Sequence, residues 1–424
     1  MHSLSELKAG HLAGISRLTL SEDLSVFPTE ILSLADSLEI LDLSNNHLTS
    51  LPDEIKQLTK LKIIFASNNE FETLPESLGQ CPNLEMIGFK ANKIKHVPAV
   101  SLPLKLRWLI LTDNQISSLP DTLGERPRMQ KLALAGNQLT ELPANLSQLH
   151  NLELIRISAN QLTYFPDQLL ALPKLAWLAF AGNPFSQVDL DIKTVADVPS
   201  ASFTLKEILG QGASGVISKA LWNNPTDEFP AAVAVKVFKG ELTSDGYPKD
   251  ELQVCLKVGH HPNLVKPLAK VREPNCLALV MELIPDNYQN LGLPPDFDSC
   301  TRDTFEQGFT LSIEQIEKIV KQMQSVFDHL HNHQVSHGDL YAHNTLFDKE
   351  ANIIFGDFGA ASMYHMLNEK QQLLIRRIER RAMNYFIQDL LSVCAQEDKN
   401  SNEYQALVKQ FLPIECTKVV WLAP

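Results

Sequence analysis

The chain has 424 residues, a formal net charge of −13, and 44% hydrophobic and 21% charged residues. At roughly 150 residues per domain, this length predicts two or three domains of a soluble globular protein. The negative charge argues against a nucleic-acid partner or an anionic membrane surface, because both would be repelled. A short basic cluster, "RRIERR" at residues 376–381, lies in an apolar helical pattern and is interpreted as a solvated helix face.

Six cysteines are scattered along the chain without C-x-x-C spacing, which predicts neither a zinc site nor a disulfide scaffold. The N-terminus lacks an apolar run of secretory type, and no stretch approaches the roughly 18 apolar residues of a membrane span. We therefore expect a cytoplasmic protein without a membrane span.

A repeated pattern organises residues 12–185. Its form is L-x-x-L-x-L-x-x-N-x-L-x-x-L-P, as in "LEILDLSNNHLTSLP" from Leu38, and its asparagines recur every 23 residues with one step of 22. These asparagines are Asn46, Asn69, Asn92, Asn114, Asn137, Asn160 and Asn183. Each L-x-L predicts a short strand with inward leucines, and each buried Asn must bind backbone groups of the adjoining turn. A degenerate first copy carries Asp23 at the Asn position and is expected to cap the array.

This pattern resembles the leucine-rich repeat family over about 175 residues. The resemblance implies a curved solenoid whose concave parallel sheet binds other macromolecules. Side chains alternate along a strand, so the positions between the inward leucines should face the concave side. The predicted partner-binding residues there are Ile63, Phe65, Met86, Trp108, Ile110, Arg156 and Trp177. Exposed aromatic and Arg side chains are typical anchors for a protein partner or substrate, but the C-terminal domain or a crossing loop covering them stays an alternative.

The second half of the chain begins with a glycine-rich stretch, "LGQGASGVI", in which Gly210, Gly212 and Gly215 have G-x-G-x-x-G spacing. Because both flanks read as strands, we expect a hairpin whose backbone amides approach phosphates, rather than a dinucleotide-binding turn. Lys236 is the lone charge of the strand-like run "VAVKVF", and Glu251 follows on a predicted helix as its carboxylate partner.

Three further motifs follow in chain order. The buried strand "CLALVMELI" contains Met281, and residues 282–284 after it could offer backbone hydrogen bonds to an adenine. The loop "HGDLYAHN" contains Asp339 and Asn344, and thirteen residues later "GDFG" contains Asp357. Each motif alone is of moderate specificity, but their occurrence together in this order is a strong signal.

Together these motifs resemble the protein-kinase fold over roughly residues 200–424. The resemblance implies ATP and Mg²⁺ as cofactors, Asp339 as acceptor of the hydroxyl proton, Asn344 and Asp357 as metal ligands, and a Lys236–Glu251 pair that holds phosphates. The implied nucleotide-binding residues are Gly210, Gly212, Gly215, Ile217, Ala234, Lys236, Met281, Glu282, Ile284 and Leu346.

The sequence departs from the family in the loop and after it. Gly338 replaces the Arg that usually follows the loop His, which puts switching by activation-loop phosphorylation in doubt. Tyr341 replaces the Lys of serine/threonine kinases, and His343 stands where tyrosine kinases have an Arg. The activation segment is short and lacks A-P-E, and Glu379 stands where the central C-lobe helix usually has Asp.

The predicted fold is an α/β leucine-rich-repeat solenoid over residues 1–190 with about eight repeats, a linker over 191–201, and an α+β bilobal protein-kinase-like domain over 202–424. Its N-lobe is expected over about 202–281 and its C-lobe over about 282–424.

The predicted function is ATP- and Mg²⁺-dependent phosphorylation of a protein, with serine or threonine expected from the base rate of the family. The repeats would recruit the partner or substrate, and deleting residues 1–195 would then lower activity on the native target but spare ATP binding. Two alternatives stay open. One is a small-molecule kinase of aminoglycoside or choline kinase type, whose loops also read H-G-D-L, and the other is a pseudokinase scaffold acting through the repeats.

Overall fold

Eight parallel strands follow one another in the first half of the chain and form a single sheet in the computed structural model. The structure describes residues 2–187, 195–212, 214–226, 229–240 and 242–411. The middle residue of each strand, from Leu18 to Leu178, is buried at the same register position. The strands are β1 (Arg17–Thr19), β2 (Ile40–Asp42), β3 (Ile63–Phe65), β4 (Met86–Gly88), β5 (Trp108–Ile110), β6 (Lys131–Ala133), β7 (Leu154–Arg156) and β8 (Trp177–Ala179).

A 3₁₀ helix follows the Leu-Pro, Phe-Pro or Val-Pro step of each repeat, because Pro fixes φ at the start of the turn and cannot donate into it. These helices are Thr29–Leu34, Asp53–Gln57, Glu76–Gln80, Ala99–Ser101, Asp121–Glu125, Ala144–Gln148 and Asp167–Ala171, and Pro184–Ser186 ends the series. A short helix, α1 (Leu4–Lys8), precedes β1 and carries a capping box. We call β1–β8 with their 3₁₀ helices the solenoid.

The repeated asparagines bind backbone groups of the preceding repeat, as predicted. Asn46 Oδ1 accepts from the Leu24 N–H at 2.9 Å, and Asn46 Nδ2 donates to the Leu20 carbonyl at 2.9 Å. The same exchange recurs through Asn183, which explains why the spacing of the asparagines is nearly constant. Asp23 does not take part in this way, since its side chain is 94% exposed.

A six-stranded sheet opens the second half, in the order β10-β11-β12-β14-β13-β9. Its strands are β9 (Ala196–Asp197), β10 (Phe203–Gln211), β11 (Gly215–Trp222), β12 (Ala232–Phe238), β13 (Pro267–Glu273) and β14 (Cys276–Glu282), and the 3₁₀ helix Ser200–Ser202 precedes β10. One helix, α2 (Pro248–Val258), buries Leu252 and Leu256 against Leu279 and Met281 of β14. We call this sheet with α2 the N-lobe.

Over residues 283–411, the C-lobe is built on three helices and several two- or three-residue strands. The helices are α3 (Ile313–Asn332), α4 (Glu369–Ser392) and α5 (Asn402–Phe411), and the first two begin with capping boxes at Ser312 and Asn368. The strands are β15 (Gln289–Asn290), β16 (Val335–Ser336), β17 (Thr345–Phe347), β18 (Ile353–Phe355) and β19 (Ser362–Met363), with 3₁₀ helices at Ala342–Asn344 and Gln396–Asn400.

The solenoid and the C-lobe share their hydrophobic cores. Tyr364 and Ile378 of the C-lobe are buried in the leucine cluster of the solenoid, and Leu154 and Trp177 of the solenoid are buried in the C-lobe cluster. The repeat solenoid and the bilobal α+β domain are the two architectures predicted from the sequence. The predicted boundary between residues 190 and 191 falls in segment 188–194, outside the described residues. Within the described ranges, no helix is both long and apolar enough to cross a bilayer.

Candidate active site

A cavity of about 670 Å³ lies between the glycine-rich hairpin and the C-lobe, a volume in the range of small-ligand sites. All ten residues predicted to bind the nucleotide line it: Gly210, Gly212, Gly215, Ile217, Ala234, Lys236, Met281, Glu282, Ile284 and Leu346. Sequence reasoning missed further lining residues, including Val265, Leu279, Tyr288 and Asn290, because no motif marks them. Lys236, Glu251 and Asp357 lie together in this lining, and we call the part of the cavity that they form its charged end.

The hairpin connects β10 and β11, and the Gly212 N–H donates to the Gly215 carbonyl at 3.0 Å. A Cβ atom at Gly215 would lie 2.4 Å from the Val237 carbonyl oxygen, so the neighbouring strand excludes any side chain there. Gly210 and Gly212 have open space around the same position. Bare backbone at these two residues leaves room for a ligand to approach the amides closely.

Lys236 of β12 and Glu251 of α2 form a buried ion pair through Nζ and Oε1, and Lys236 Nζ lies 3.8 Å from Asp357 Oδ1. Burial raises the pKa of Glu251 to about 7, and the Lys236 ammonium counteracts that rise. Burial acts to lower the pKa of Lys236, but the Glu251 and Asp357 carboxylates raise it above its ordinary value. Lys236 is therefore protonated, and it forms the charged end of the cavity together with Glu251 and Asp357.

The loop between β16 and β17 brings Asp339 and Asn344 together. Asn344 Nδ2 donates to Asp339 Oδ2 at 2.8 Å and to the Asp339 carbonyl at 3.2 Å. Burial raises the pKa of Asp339 to about 6, the Arg156 guanidinium opposes that rise, and the Asp245 carboxylate adds to it.

Asp357 follows β18 in a left-handed conformation, with φ of 57°, and its side chain is 56% exposed. The Gly359 N–H donates to Asp357 Oδ1 at 3.3 Å. Asn344 and Asp357 offer oxygen atoms of the kind that Mg²⁺ prefers, and Mg²⁺ is usually held by one or two protein groups together with phosphate oxygens and water. Asp357 lines the cavity, whereas Asn344 lies outside its lining, beside Asp339, and the two would supply oxygen ligands to the metal of a bound nucleotide.

His337 and Glu379 hold the loop that carries Asp339 in place through hydrogen bonds. Glu379 Oε1 of α4 accepts from the His337 N–H at 2.6 Å, so Glu379 binds the loop backbone from the position where Asp was expected. His337 Nε2–H donates to the Gly356 carbonyl at 3.1 Å, and burial lowers the pKa of His337 to about 4. A neutral His337 therefore links the Asp339 loop to the segment that carries Asp357.

Arg156, from β7 of the solenoid, lies against the same loop. Its Nη2 donates to Asp339 Oδ1, its Nη1 to the Gly338 carbonyl at 3.0 Å, and its Nε to Asp245 Oδ1 at 2.8 Å. The side chain is only 5% exposed. Asp245, in the segment between β12 and α2, carries no motif that could have marked it in the sequence.

The two unusual loop residues, Gly338 and Tyr341, both meet β8. Gly338 has φ of 71°, and a Cβ there would lie 2.7 Å from the Leu178 carbonyl oxygen and 2.8 Å from that of Ala360. The Tyr341 ring stacks on Trp177 with centroids 4.8 Å apart, and Trp177 Nε1–H donates to the Leu340 carbonyl at 3.0 Å. The solenoid backbone thus occupies the space that an Arg at position 338 would need.

The residues after Asp357 also bind the solenoid. Ser362 Oγ accepts from the Phe180 N–H at 2.9 Å and from the Ala181 N–H at 3.1 Å, and therefore caps the backbone that leaves β8. Ser362 and Tyr364 are both fully buried. His343 is held by Asp303, whose Oδ1 lies 2.7 Å from His343 Nδ1. Neither Ser362 nor Asp303 was assigned a role from the sequence.

The prediction of an exposed concave face is corrected for Arg156 and Trp177, which lie against the C-lobe with exposed fractions of 4% and 1%. The alternative, that the C-terminal domain covers them, holds for these two. The prediction is also wrong for Ile63 and Met86, which are buried with exposed fractions of 5% each, whereas Phe65, Trp108 and Ile110 are half-buried. Lys131 Nζ lies 4.0 Å from the centroid of the Trp108 ring, which it partly covers.

In the basic cluster, Arg376, Arg377 and Arg380 are exposed as expected, whereas Arg381 Nε donates to the Leu175 carbonyl at 2.7 Å.

Comparison with known families finds a matching family model in each half of the chain. Residues 203–378 match the family model of the protein kinase domain, and residues 36–94 and 104–162 match that of the leucine rich repeat. The chain joins leucine-rich repeats to a protein kinase domain. The resemblances noted in the sequence are therefore confirmed.

Three of the chain's relatives show the extent of the similarity, each over less than half of the chain. A probable serine/threonine-protein kinase of Dictyostelium discoideum is 32% identical over 179 residues, which are 42% of this chain and 33% of that protein. Fibroblast growth factor receptor homolog 1 of Drosophila melanogaster is 26% identical, covering 42% of this chain and 25% of the relative. A probable L-type lectin-domain containing receptor kinase of Arabidopsis thaliana is 31% identical, covering 39% and 23%. The chain spans a third or less of each relative's length.

Proposed function

We propose that this protein is an ATP- and Mg²⁺-dependent protein kinase that phosphorylates serine or threonine. The observation that carries the proposal is the assembled Lys236–Glu251 ion pair beside Asp357, at the charged end of a cavity of nucleotide size. Kinases need this pair and the neighbouring Asp in place before transfer. The match of residues 203–378 to the protein kinase domain supports the same assignment.

The residues take roles that follow from their positions. Bound Mg²⁺-ATP supplies the γ-phosphoryl group, for which Asn344 and Asp357 would hold the metal. Lys236 would bind the α and β phosphates, and the backbone of the glycine-rich hairpin would cover them. Asp339 would accept the proton of the attacking hydroxyl, since it lies in the loop beside Asn344, which donates to its Oδ2.

A protein partner or substrate would be recruited by the part of the concave sheet that the C-lobe leaves uncovered. Of the predicted residues, Phe65, Trp108 and Ile110 keep exposed surface, and the buried Ile63 and Met86 stand in register beside Trp108 on the same sheet. Binding there would raise the local concentration of the substrate near the cavity. The cytoplasmic location stays a prediction from the sequence.

One observation favours a second candidate, a small-molecule kinase. The activation segment is short, because α4 begins at Glu369, ten residues after Gly359, and Ser362 and Tyr364 are buried against the solenoid. This leaves little of the platform on which peptide substrates of kinases usually lie. A metabolite acceptor would not need that platform.

Transfer of ³²P from labelled ATP tests both candidates. Full-length protein would be compared with Asp357→Ala and Asp339→Asn, using a generic protein acceptor and a panel of small hydroxyl and amino metabolites. Asp23→Ala is the matched control, because Asp23 is a solenoid carboxylate whose side chain is 94% exposed. We expect protein labelling by the wild type and the control but not by the two site variants. Labelling of a metabolite alone would favour the second candidate, and ATP binding without transfer to any acceptor would favour a scaffold.

A further inference from the structure

The loop that carries Asp339 contains no lysine or arginine, since residues 337–344 read "HGDLYAHN". Its cationic neighbour comes from the solenoid instead, because Arg156 Nη2 donates to Asp339 Oδ1. The opposite oxygen, Asp339 Oδ2, accepts from Asn344 Nδ2 at 2.8 Å. The carboxylate is therefore held from both sides, by a residue of its own loop and by a residue 183 positions earlier in the chain.

Arg156 also connects the two lobes of the kinase domain. Its Nε binds Asp245, in the N-lobe segment that leads into α2, and its Nη1 binds the carbonyl of Gly338 in the C-lobe. A planar guanidinium can serve three acceptors in fixed directions, which a lysine ammonium on a flexible stem cannot reproduce. Because Arg156 is almost fully buried, solvent weakens these charged hydrogen bonds little.

The contacts on either side of Arg156 depend on glycines. A Cβ at Gly338 would collide with the Leu178 carbonyl of β8, and a Cβ at Gly136 would lie 1.9 Å from Leu242 Cδ2 of the N-lobe segment. Gly246 has φ of 143°, and its Cβ would lie 3.0 Å from Ser158 Cβ. The close approach that delivers Arg156 to the site thus involves glycines on both the solenoid and the kinase domain.

We propose that Arg156 is a positioning residue for phosphoryl transfer, which fixes the Asp339 carboxylate toward the acceptor hydroxyl. The inference rests on the proposed function. It makes the solenoid part of the active site, in addition to any recruiting role. An isolated kinase domain would lack the side chain that orients its own Asp339.

The test compares full-length wild type with Arg156→Ala, Arg156→Lys and the matched control Arg128→Ala. Arg128 is a half-exposed solenoid arginine whose ion pair with Glu85 stays within the solenoid. For each protein, kcat and KM for ATP are measured with the acceptor identified above, and the Kd of Mg²⁺-ATP is measured separately by calorimetry. The Arg156→Ala assay is repeated with guanidinium ion, at a concentration that leaves the wild-type rate unchanged.

We expect Arg156→Ala to lose roughly 100-fold in kcat, because a misplaced reacting group costs about that factor. KM and Kd for ATP should stay within about two-fold, since Arg156 does not line the cavity. Guanidinium should restore part of the rate, Arg156→Lys should lie between wild type and Arg156→Ala, and Arg128→Ala should match wild type. Should Arg156→Ala fail to fold, Arg156→Lys carries the test through its reduced kcat at unchanged Kd.

Three results would overturn the inference. An unchanged or increased kcat in both Arg156 variants would show that the contact is dispensable or inhibitory. A parallel loss of ATP binding and kcat, without guanidinium rescue, would leave Arg156 a purely structural role. A wild type that transfers phosphate to no acceptor would overturn the proposed function with it, whereas the first two results leave the proposed function intact.

Discussion

Replacing Gly338 by Ala should destabilise the protein by separating the solenoid from the kinase domain. The residue has φ of 71°, where an L side chain costs about 1–2 kcal/mol. The added Cβ would also lie 2.7 and 2.8 Å from two carbonyl oxygens, one on each side of the interface. Forcing these backbones apart adds about 1–3 kcal/mol, as in other overpacked sites. The expected total is about 2–5 kcal/mol.

Gly308 provides the matched control for this prediction. It lies in the same lobe with φ of 83°, but no atom lies within 4 Å of a Cβ built there. Gly308→Ala should therefore cost only the backbone term, about 1–2 kcal/mol. The free energies of unfolding of both variants and wild type are measured by urea titration with far-UV circular dichroism and tryptophan fluorescence. If Gly338→Ala is no less stable than Gly308→Ala, the solenoid backbone does not restrict this position and the argument from close approach is wrong.

Three further predictions concern the same interface and loop. Trp177→Ala should lower the free energy of unfolding by about 3–5 kcal/mol, because it removes a buried indole stacked on Tyr341. Trp177→Phe should retain part of that stability in the same urea assay. Equal losses in the two variants would argue against stacking. Deleting residues 1–195 should expose the shared core, and the remaining fragment should lose both ATP binding and cooperative unfolding. A solenoid that only recruits the substrate would leave ATP binding unchanged. A soluble fragment that binds ATP would therefore contradict the shared core. Burial holds the pKa of His337 at about 4, below its ordinary 6.5, so its contribution to stability is complete above pH 6.5 and falls by up to about 3 kcal/mol by pH 4. His337→Gln should flatten the fall in unfolding free energy between pH 6.5 and 4, and an unchanged slope would refute this assignment.

The sequence alone determined the elements whose signals are local. The 23-residue period fixed the solenoid, because each Asn must bind the backbone of the preceding repeat and so repeats with the chain. Ten of the residues that line the cavity were also predictable, since the glycine spacing, Lys236 and the strand with Met281 each belong to a short motif that folds with its own strand or loop. Glu251 was found in the same way, fifteen residues after Lys236 on an adjoining helix.

The tertiary structure decided what covers the concave face and why the loop is unusual. Arg156 and Trp177 have the composition of a binding face, but whether such a face is open or covered depends on how the next domain docks, which periodicity does not encode. In the sequence, Gly338 only marks the absence of the usual Arg, whereas the structure shows that the Leu178 carbonyl leaves no room for a side chain there. Contacts between residues that lie 183 positions apart arise from packing of whole elements, so only the folded chain shows that Arg156 and Asp339 meet.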